Sequence, residues 1–465
     1  MPPDPIPPPR GTPHEVERSF EAPARALEGT LEAVERSGRA LGSKKVLKRA
    51  GEYWSTLGPG LTTGAADDDP SGIATYSQAG AQYGFGLIWT ALFTYPFMAV
   101  VQEMCARIGI VSGEGLAANI RRHFPRNALY VVTILLFAAN TLNIAADLGA
   151  MAASTRLLLP GAGAELLVVL FAFITLGLQI FTTYAQYAKY LKYLALALFS
   201  YIIVAFSVHL DWGAVLHATL VPHLSFTKNQ LFLLAAVLGT TISPYLFFWQ
   251  TSQEVEEDIM HGGTSIKARK QEATPRAVSR MRTDVWSGML FSNLITFFIF
   301  AACAGTLFAV GDTHIRTAAD AARALKPFGE FAYLLFTIGV VGTGLLAVPV
   351  LAGSTAYAIA ESMGWKYGLY RKLKQAYAFY GVIIVSMIAG VAMDFMHLDP
   401  IKGLIWAAVG NGVIAPVILY FVVRLSSDKK IMGEHANGFK LKFIGWATIF
   451  LMGLSGIAAL VSIFW

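Results

Sequence analysis

The chain has 465 residues, of which 55% are hydrophobic and only 14% charged, with a formal net charge of +6. Its mean hydropathy is +0.53 and its pI about 9.1. A soluble chain of this length carries about a quarter charged residues, so the composition excludes a soluble globular protein and points to one built of membrane-spanning helices. The apolar runs are long and continuous, which argues against the short alternating strands of a barrel. The basic residues are scattered between apolar runs, which argues against nucleic acid as a partner. The lipid bilayer is the partner the composition implies; protein partners are left open.

In chain order, the opening "MPPDPIPPPRGTP" lacks the apolar centre of a signal peptide and reads as a proline-rich tail. Residues 24–50 have the pattern of a short amphipathic surface helix. About eleven spans of roughly 20 apolar residues each follow. They lie near 54–83, 86–111, 128–154, 163–183, 187–209, 229–252, 284–310, 330–358, 375–394, 400–424 and 442–465. The expected organisation is a cytoplasmic tail over 1–50, a five-helix set over 51–210, a second over 229–425, and a loop with an extra helix over 426–465.

Basic residues concentrate in the tail (Arg36, Arg39, Lys44, Lys45, Lys48, Arg49) and in alternate loops. Arg121, Arg122 and Arg126 mark one such loop, Lys267 to Arg282 a second, and Lys366 to Lys374 a third. Arg316, Arg323 and Lys326 are the main exception. The positive-inside rule then puts the N-terminus in the cytoplasm and, with an odd number of spans, the C-terminus outside. Residues 253–283 become the largest cytoplasmic loop.

Within the first span stands "GAADDDPSGIATY", residues 64–76. Proline lacks an amide hydrogen and clashes with the preceding turn, so Asp69-Pro70 predicts a broken helix, and Gly72 adds freedom. Freed backbone at membrane depth is tolerated where it lines a cavity or is buried in protein, and an acid there is a candidate site residue. The sixth span repeats the break in "AVLGTTISPYLFFWQ", residues 236–250, at Ser243-Pro244. Both spans open a five-helix set, and the sets start on opposite sides of the membrane. Paired breaks in inverted repeats point to a transporter's midplane site, against the plainer reading of a kink in one span and a capping carboxylate in the other.

Other polar residues have open readings. Successive helical positions point about 100° apart, so Asp67, Asp68 and Asp69 do not all face one ion. Asp67 and Asp68 are left to the outer shell of a hydrated ion, to an arginine partner, or to capping the unwound turn. Asn140, Asn143 and Asp147 share one face of the third span, as interhelical hydrogen-bonders or pathway residues. Asn411 is a further cavity candidate. Glu103 and Arg107, spaced i,i+4, predict an ion pair. The small residues of 339–354 predict close helix packing. Cys105 and Cys303 fall in apolar runs, so neither a disulfide nor a thiolate metal site is expected. His209, His217, His223, His314 and His397 lack metal-site spacing and read as loop residues. There is no HExxH and no nucleophile–base pair, so no enzyme and no cofactor are expected.

These residues resemble the Nramp divalent-metal transporters. "GPGLTTGAADDDPSGIATYSQAGAQYGFGLIW" (58–89) is similar to the first span and following loop of that family, whose signature there is Asp-Pro-Gly-Asn. "QEMCARIGIVSG" (102–113), "NIAADLGA" (143–150) and "YLKYLALAL" (190–198) resemble its second, third and fifth spans. The resemblance implies an all-α, leucine-transporter-like 5+5 inverted repeat with helices 1 and 6 broken. It implies metal-site positions at Asp69, Gly72, Thr240 and Ser243; Asp67, Asp68, Tyr245, Asn143, Asp147 and Asn411 are the candidate pathway or outer residues. It also implies a multi-pass protein of the bacterial-type cytoplasmic membrane.

The departures carry chemistry. The family's asparagine falls at Gly72. Its Ala-x-x-Met-Pro-His in the sixth span reads Thr240, Ser243, Pro244 and Tyr245 here, and a second third-span acid falls at Ala150. Without the soft methionine sulfur the donors are all oxygen, which suits hard ions. Mg²⁺ is held by one or two carboxylates and keeps water, and small residues leave room for that water. The pattern resembles the Nramp-related magnesium transporters, which carry Asp-Pro-Ser-Gly. Mg²⁺ is therefore the expected substrate, with Mn²⁺ also passing. Tyr245 and Ala150 do not relay protons near neutral pH, so entry without proton coupling is expected. The alternatives are a proton-coupled Mn²⁺/Fe²⁺ symporter, a carrier of small organic solutes, and a non-transporting sensor or scaffold.

Overall fold

The computed structural model describes Tyr53 and residues 57–465, apart from 209, 226, 310, 312–317, 326–329, 397–399 and 465. The N-terminal tail, the helix expected over 24–50, and His209, His314 and His397 lie outside the described residues. Leu57–Trp465 form one compact unit.

The helices in order are α1 Pro59–Asp67, α2 Pro70–Tyr83, α3 Trp89–Ser112, α4 Leu116–His123, α5 Arg126–Leu158, α6 Ala164–Phe181, α7 Tyr184–Leu194, α8 Phe199–Ser207, α9 Trp212–Leu220 and α10 Lys228–Thr241. Then come α11 Pro244–Met260, α12 Ile266–Glu272, α13 Pro275–Cys303, α14 Ala318–Ala324, α15 Glu330–Met363, α16 Tyr377–Phe395, α17 Pro400–Ser427, α18 Lys429–Met432 and α19 Phe439–Phe464. There is no strand among the described residues.

Nine helices among the described residues are long and apolar enough to cross a membrane, or ten if Pro70–Leu87 and Trp89–Ser112, bent by 104°, count as one span. Each of the eleven expected segments contains helix. The lower count arises at the first two expected spans: the interruption leaves α1 and α2 with 9 and 14 residues, too short to qualify separately, and α3 qualifies only together with the helix before it.

Both breaks follow the sequence chemistry. Asp69 is extended (φ −67°, ψ 165°), the conformation that a following proline favours, and α2 restarts at Pro70. Ser243 is likewise extended (φ −80°, ψ 127°), and α11 restarts at Pro244.

Around the breaks, α13 packs on α1 and α3, while α15 packs on α5, α11 and α16. The contact of α1 with α13 is backbone on backbone: a Cβ on Gly60 would stand 2.6 Å from Val285 Cα, and one on Gly64 would meet the Gly288 carbonyl. The small residues of α15 serve packing too. Gly339, Gly342 and Gly353 lie against Tyr201, Ala197 and Trp249, so close that a Cβ would stand 2.6 Å from each. Phe173, Ile388 and Phe450, on α6, α16 and α19, are 61–70% exposed and form part of the apolar outer surface. Cys105 and Cys303 are free and buried. Glu103 and Arg107 pair at 3.5 Å, and Arg282 joins Glu103 at 2.9 Å.

A candidate cation site between the helix breaks

Asp69 caps α2. Its Oδ1 accepts the Gly72 amide at 2.6 Å and the Ser71 hydroxyl at 2.7 Å. The capping reading of this carboxylate therefore holds, and it leaves Oδ2 outside both bonds. The cap fixes the carboxylate beside the start of α2, where helix-end amides favour negative charge. Asp147 on α5 reaches the same turn and accepts the Ser71 amide on Oδ1 at 3.2 Å. Its Oδ2 has no hydrogen-bond partner among the described residues.

Gly72 lies where the two breaks meet. A Cβ there would stand 3.1 Å from Thr240 Oγ1, 3.3 Å from the Asp67 carbonyl oxygen and 3.3 Å from Asp69 Oδ1. Three oxygens, from a hydroxyl, a freed carbonyl and a carboxylate, thus converge on Gly72, and a side chain there would crowd all three. Among the described residues no three His, Cys, Asp or Glu side chains converge as a metal cluster.

The second break turns inward on itself. Ser243 Oγ donates to the Thr240 carbonyl at 2.7 Å, satisfying an end of α10. Tyr245 crosses to the first break and donates to the Ala66 carbonyl at 2.8 Å. Of the last carbonyls of α1, Ala66 is thereby occupied and Asp67 is the one beside Gly72.

The three acids diverge. Asp67 Oδ2 accepts from Ser292 at 3.3 Å, and Asp68 Oδ1 accepts from Thr296 at 3.1 Å, both on α13. Their recorded partners are hydroxyls of a neighbouring helix, neither an arginine nor the unwound turn. Ser71, Ser292 and Thr296 were not legible as partners. The i,i+4 spacing of Ser292 and Thr296 in an apolar span is the available signal, but one sequence does not say which helix they face. Asn140 donates to Ser354 at 2.9 Å and Thr355 at 2.8 Å on α15, the interhelical role. Asn143 Nδ2 and Asn411 Oδ1 are buried without partners among the described residues. His217 and His223 are exposed.

Comparison with known proteins follows this geometry. A manganese transporter of Eremococcus coleocola, in complex with an aromatic bis-isothiourea compound, superposes with a TM-score of 0.69 at 16% identity, covering 90% of this chain and 88% of that one. Mhp1, a nucleobase-cation-symport-1 family transporter, gives 0.55 at 17% identity over 87% and 91% of the two chains. A Na⁺-coupled sialic acid symporter gives 0.52 at 11% identity over 88% and 89%. These likenesses share the leucine-transporter-like fold with two broken helices. Residues 60–462 match the family described as natural resistance-associated macrophage protein-like, and the chain is a member of that Nramp family of metal transporters.

Proposed function

We propose that the chain admits Mg²⁺, and also Mn²⁺, into the cytoplasm of a bacterial-type cell, the ion binding partly hydrated at Asp69 between the two breaks and moving without a coupled proton. The observation that carries this reading is the convergence of oxygens on Gly72. The three atoms nearest to where a side chain would begin there are a hydroxyl, a freed carbonyl and a carboxylate oxygen. Mg²⁺ gives up water reluctantly and favours one or two carboxylates with retained water, a donor class that these oxygens match. Ser243 stands where the family carries methionine, so the soft donor that favours transition metals is missing. Asp69, Gly72, Thr240 and Ser243 form the inner set in this reading, and Asp147 and Asn143 border it.

The test is influx into proteoliposomes with an internal reporter for each ion and an imposed inside-negative potential. Mg²⁺ entry that Asp69→Ala abolishes supports the ion, the site and the passive route together. Entry of Mn²⁺ with no Mg²⁺ entry overturns the ion assignment. Flux of both ions that survives Asp69→Ala overturns the site.

A further inference from the structure

Far from the breaks, α11 and α15 exchange a reciprocal pair of hydrogen bonds. α11 carries Ser252 and Glu256 one turn apart, and α15 carries Tyr357 and Glu361 one turn apart. Ser252 Oγ donates to Glu361 Oε1 at 3.1 Å, and the Tyr357 hydroxyl donates to Glu256 Oε1 at 2.5 Å. Each carboxylate then reaches a further segment. Glu361 Oε2 accepts the Ala118 amide of α4 at 3.1 Å. Glu256 accepts the Leu369 amide at 2.7 Å and the Tyr370 amide at 3.0 Å, both in the connection that follows α15. Gly115 completes the fit, since a Cβ there would run into the Glu361 carboxylate. Both acids are buried, at 2% and 1% exposure. Neither is in an ion pair among the described residues. A cavity of about 410 Å³, bordered by Glu256, Glu361, Arg269 and Tyr367, lies alongside.

Two features make this more than packing. First, the extended residue at Ser243 interrupts the helix, so α11 begins its own hydrogen-bonded ladder at Pro244. One end of α11 is at the candidate site. Glu256 is about 20 Å further along, at 1.5 Å per residue. Between them stand buried apolar side chains such as Phe247, Phe248 and Trp249, whose contacts are non-directional. Apart from Tyr245 at the break, the hydrogen bonds from α11 to α1 and α15 gather at the far end. Second, every recorded donor to these carboxylates is a neutral hydroxyl or amide. Parting such a bond strands no cation, and the donors can turn to water in the adjoining cavity.

We propose that Glu256 and Glu361 are the lock that holds the face bearing the 253–283 connection closed, α11 swinging from α15 when the two crossed ties part. The lock would serve Mg²⁺ and Mn²⁺ alike.

The test is a spin-label distance measurement on the full chain in lipid nanodiscs, free of metal. The labels go on Met260→Cys and Met363→Cys, about half exposed at the ends of α11 and α15. Cys105 and Cys303 are buried and stay unlabelled. Glutamine keeps one acceptor of the two, so Glu256→Gln and Glu361→Gln each weaken a tie to a charged group. Each is expected to raise the long-distance population about tenfold over the parent. The Ser252→Ala/Tyr357→Phe double variant removes the ties from the donor side with both charges intact, and is expected to do the same. Unchanged distances in monodisperse variants overturn the lock. So does lengthening in the glutamine variants that the donor-side variant fails to reproduce, which would assign the effect to charge. If the glutamine variants do not fold, the donor-side variant decides alone. Asp69→Ala in the labelled parent is expected to leave the distances unchanged, so a failed ion assignment and a failed lock give different results.

Discussion

Gly72 and Ser243 are the residues on which the proposed ion choice turns, and both are testable by giving back what they lack. Gly72→Asn supplies an amide, but its Cβ meets Thr240 Oγ1 at 3.1 Å and Asp69 Oδ1 at 3.3 Å. The side chain crowds the oxygens that converge there. Mg²⁺ influx is expected to fall by about tenfold, the scale of ~1.4 kcal/mol, with Mn²⁺ influx less affected. Ser243→Met supplies a soft sulfur and removes the hydroxyl that bonds the Thr240 carbonyl. It is expected to shift the ratio of Mn²⁺ to Mg²⁺ influx upward by a similar factor, read in the same vesicles. An unchanged ratio in both variants would refute the argument from donor softness. At this scale the sequence is legible where one residue dictates local geometry. Pro70 and Pro244 fix the breaks, and Asp69 is placed to cap. It is not legible where a side chain must choose a distant neighbour. Nothing local says that Asp67 and Asp68 turn to Ser292 and Thr296, because that depends on which helix lies beside α1.

Among elements, α1 is the short segment on which most depends, and its stability comes from α13. The Asp284 carboxylate receives the amides of Gly58 at 2.8 Å, Gly60 at 2.7 Å and Leu61 at 3.2 Å, closing the open end of α1. Lys192 donates to the Leu57 carbonyl at 2.7 Å just before it. Asp284→Ala leaves buried amides without acceptors, and such groups cost about 1–3 kcal/mol each when unsatisfied. The variant is expected to lower the thermal midpoint in detergent more than Asp211→Ala, which removes an exposed cap. Gly60→Ala tests the other contact of the pair. Its methyl would stand 2.6 Å from Val285, too close without moving a helix, so a loss of about 1–3 kcal/mol is expected in the same assay. An unaltered midpoint would show that α1 is not held as tightly as the geometry implies. The apolar runs and prolines made these helices legible, and the small-residue run of 339–354 was legible as a packing face. The partner of that face was not. Gly339, Gly342 and Gly353 meet three different neighbours, a pattern that only the assembled bundle defines.

For the whole molecule, the membrane potential is the driving force that an uncoupled route would use. An inside-negative potential supplies about 2.3 kcal/mol per charge per 100 mV, hence about 4.6 kcal/mol for a divalent ion. That sustains a concentration ratio above about a thousandfold, so no second ion is needed for uptake. The residues agree with such a route. By the resemblance Tyr245 stands at the family's histidine position, and its hydroxyl is engaged by the Ala66 carbonyl at 2.8 Å. By the same resemblance Ala150 stands at a third-span acid position, and Asp147 is the acid on that helix beside the breaks. Mg²⁺ influx is therefore expected to rise with an imposed potassium diffusion potential and to leave the pH inside the vesicle unchanged. Both quantities are read at once with paired internal dyes. A pH gradient alone, at zero potential, is expected to move no Mg²⁺. Acidification that scales with metal entry would return the chain to proton symport. One outcome leaves the lumenal pH dye unchanged and the other moves it in step with metal entry, so a single vesicle preparation decides between them.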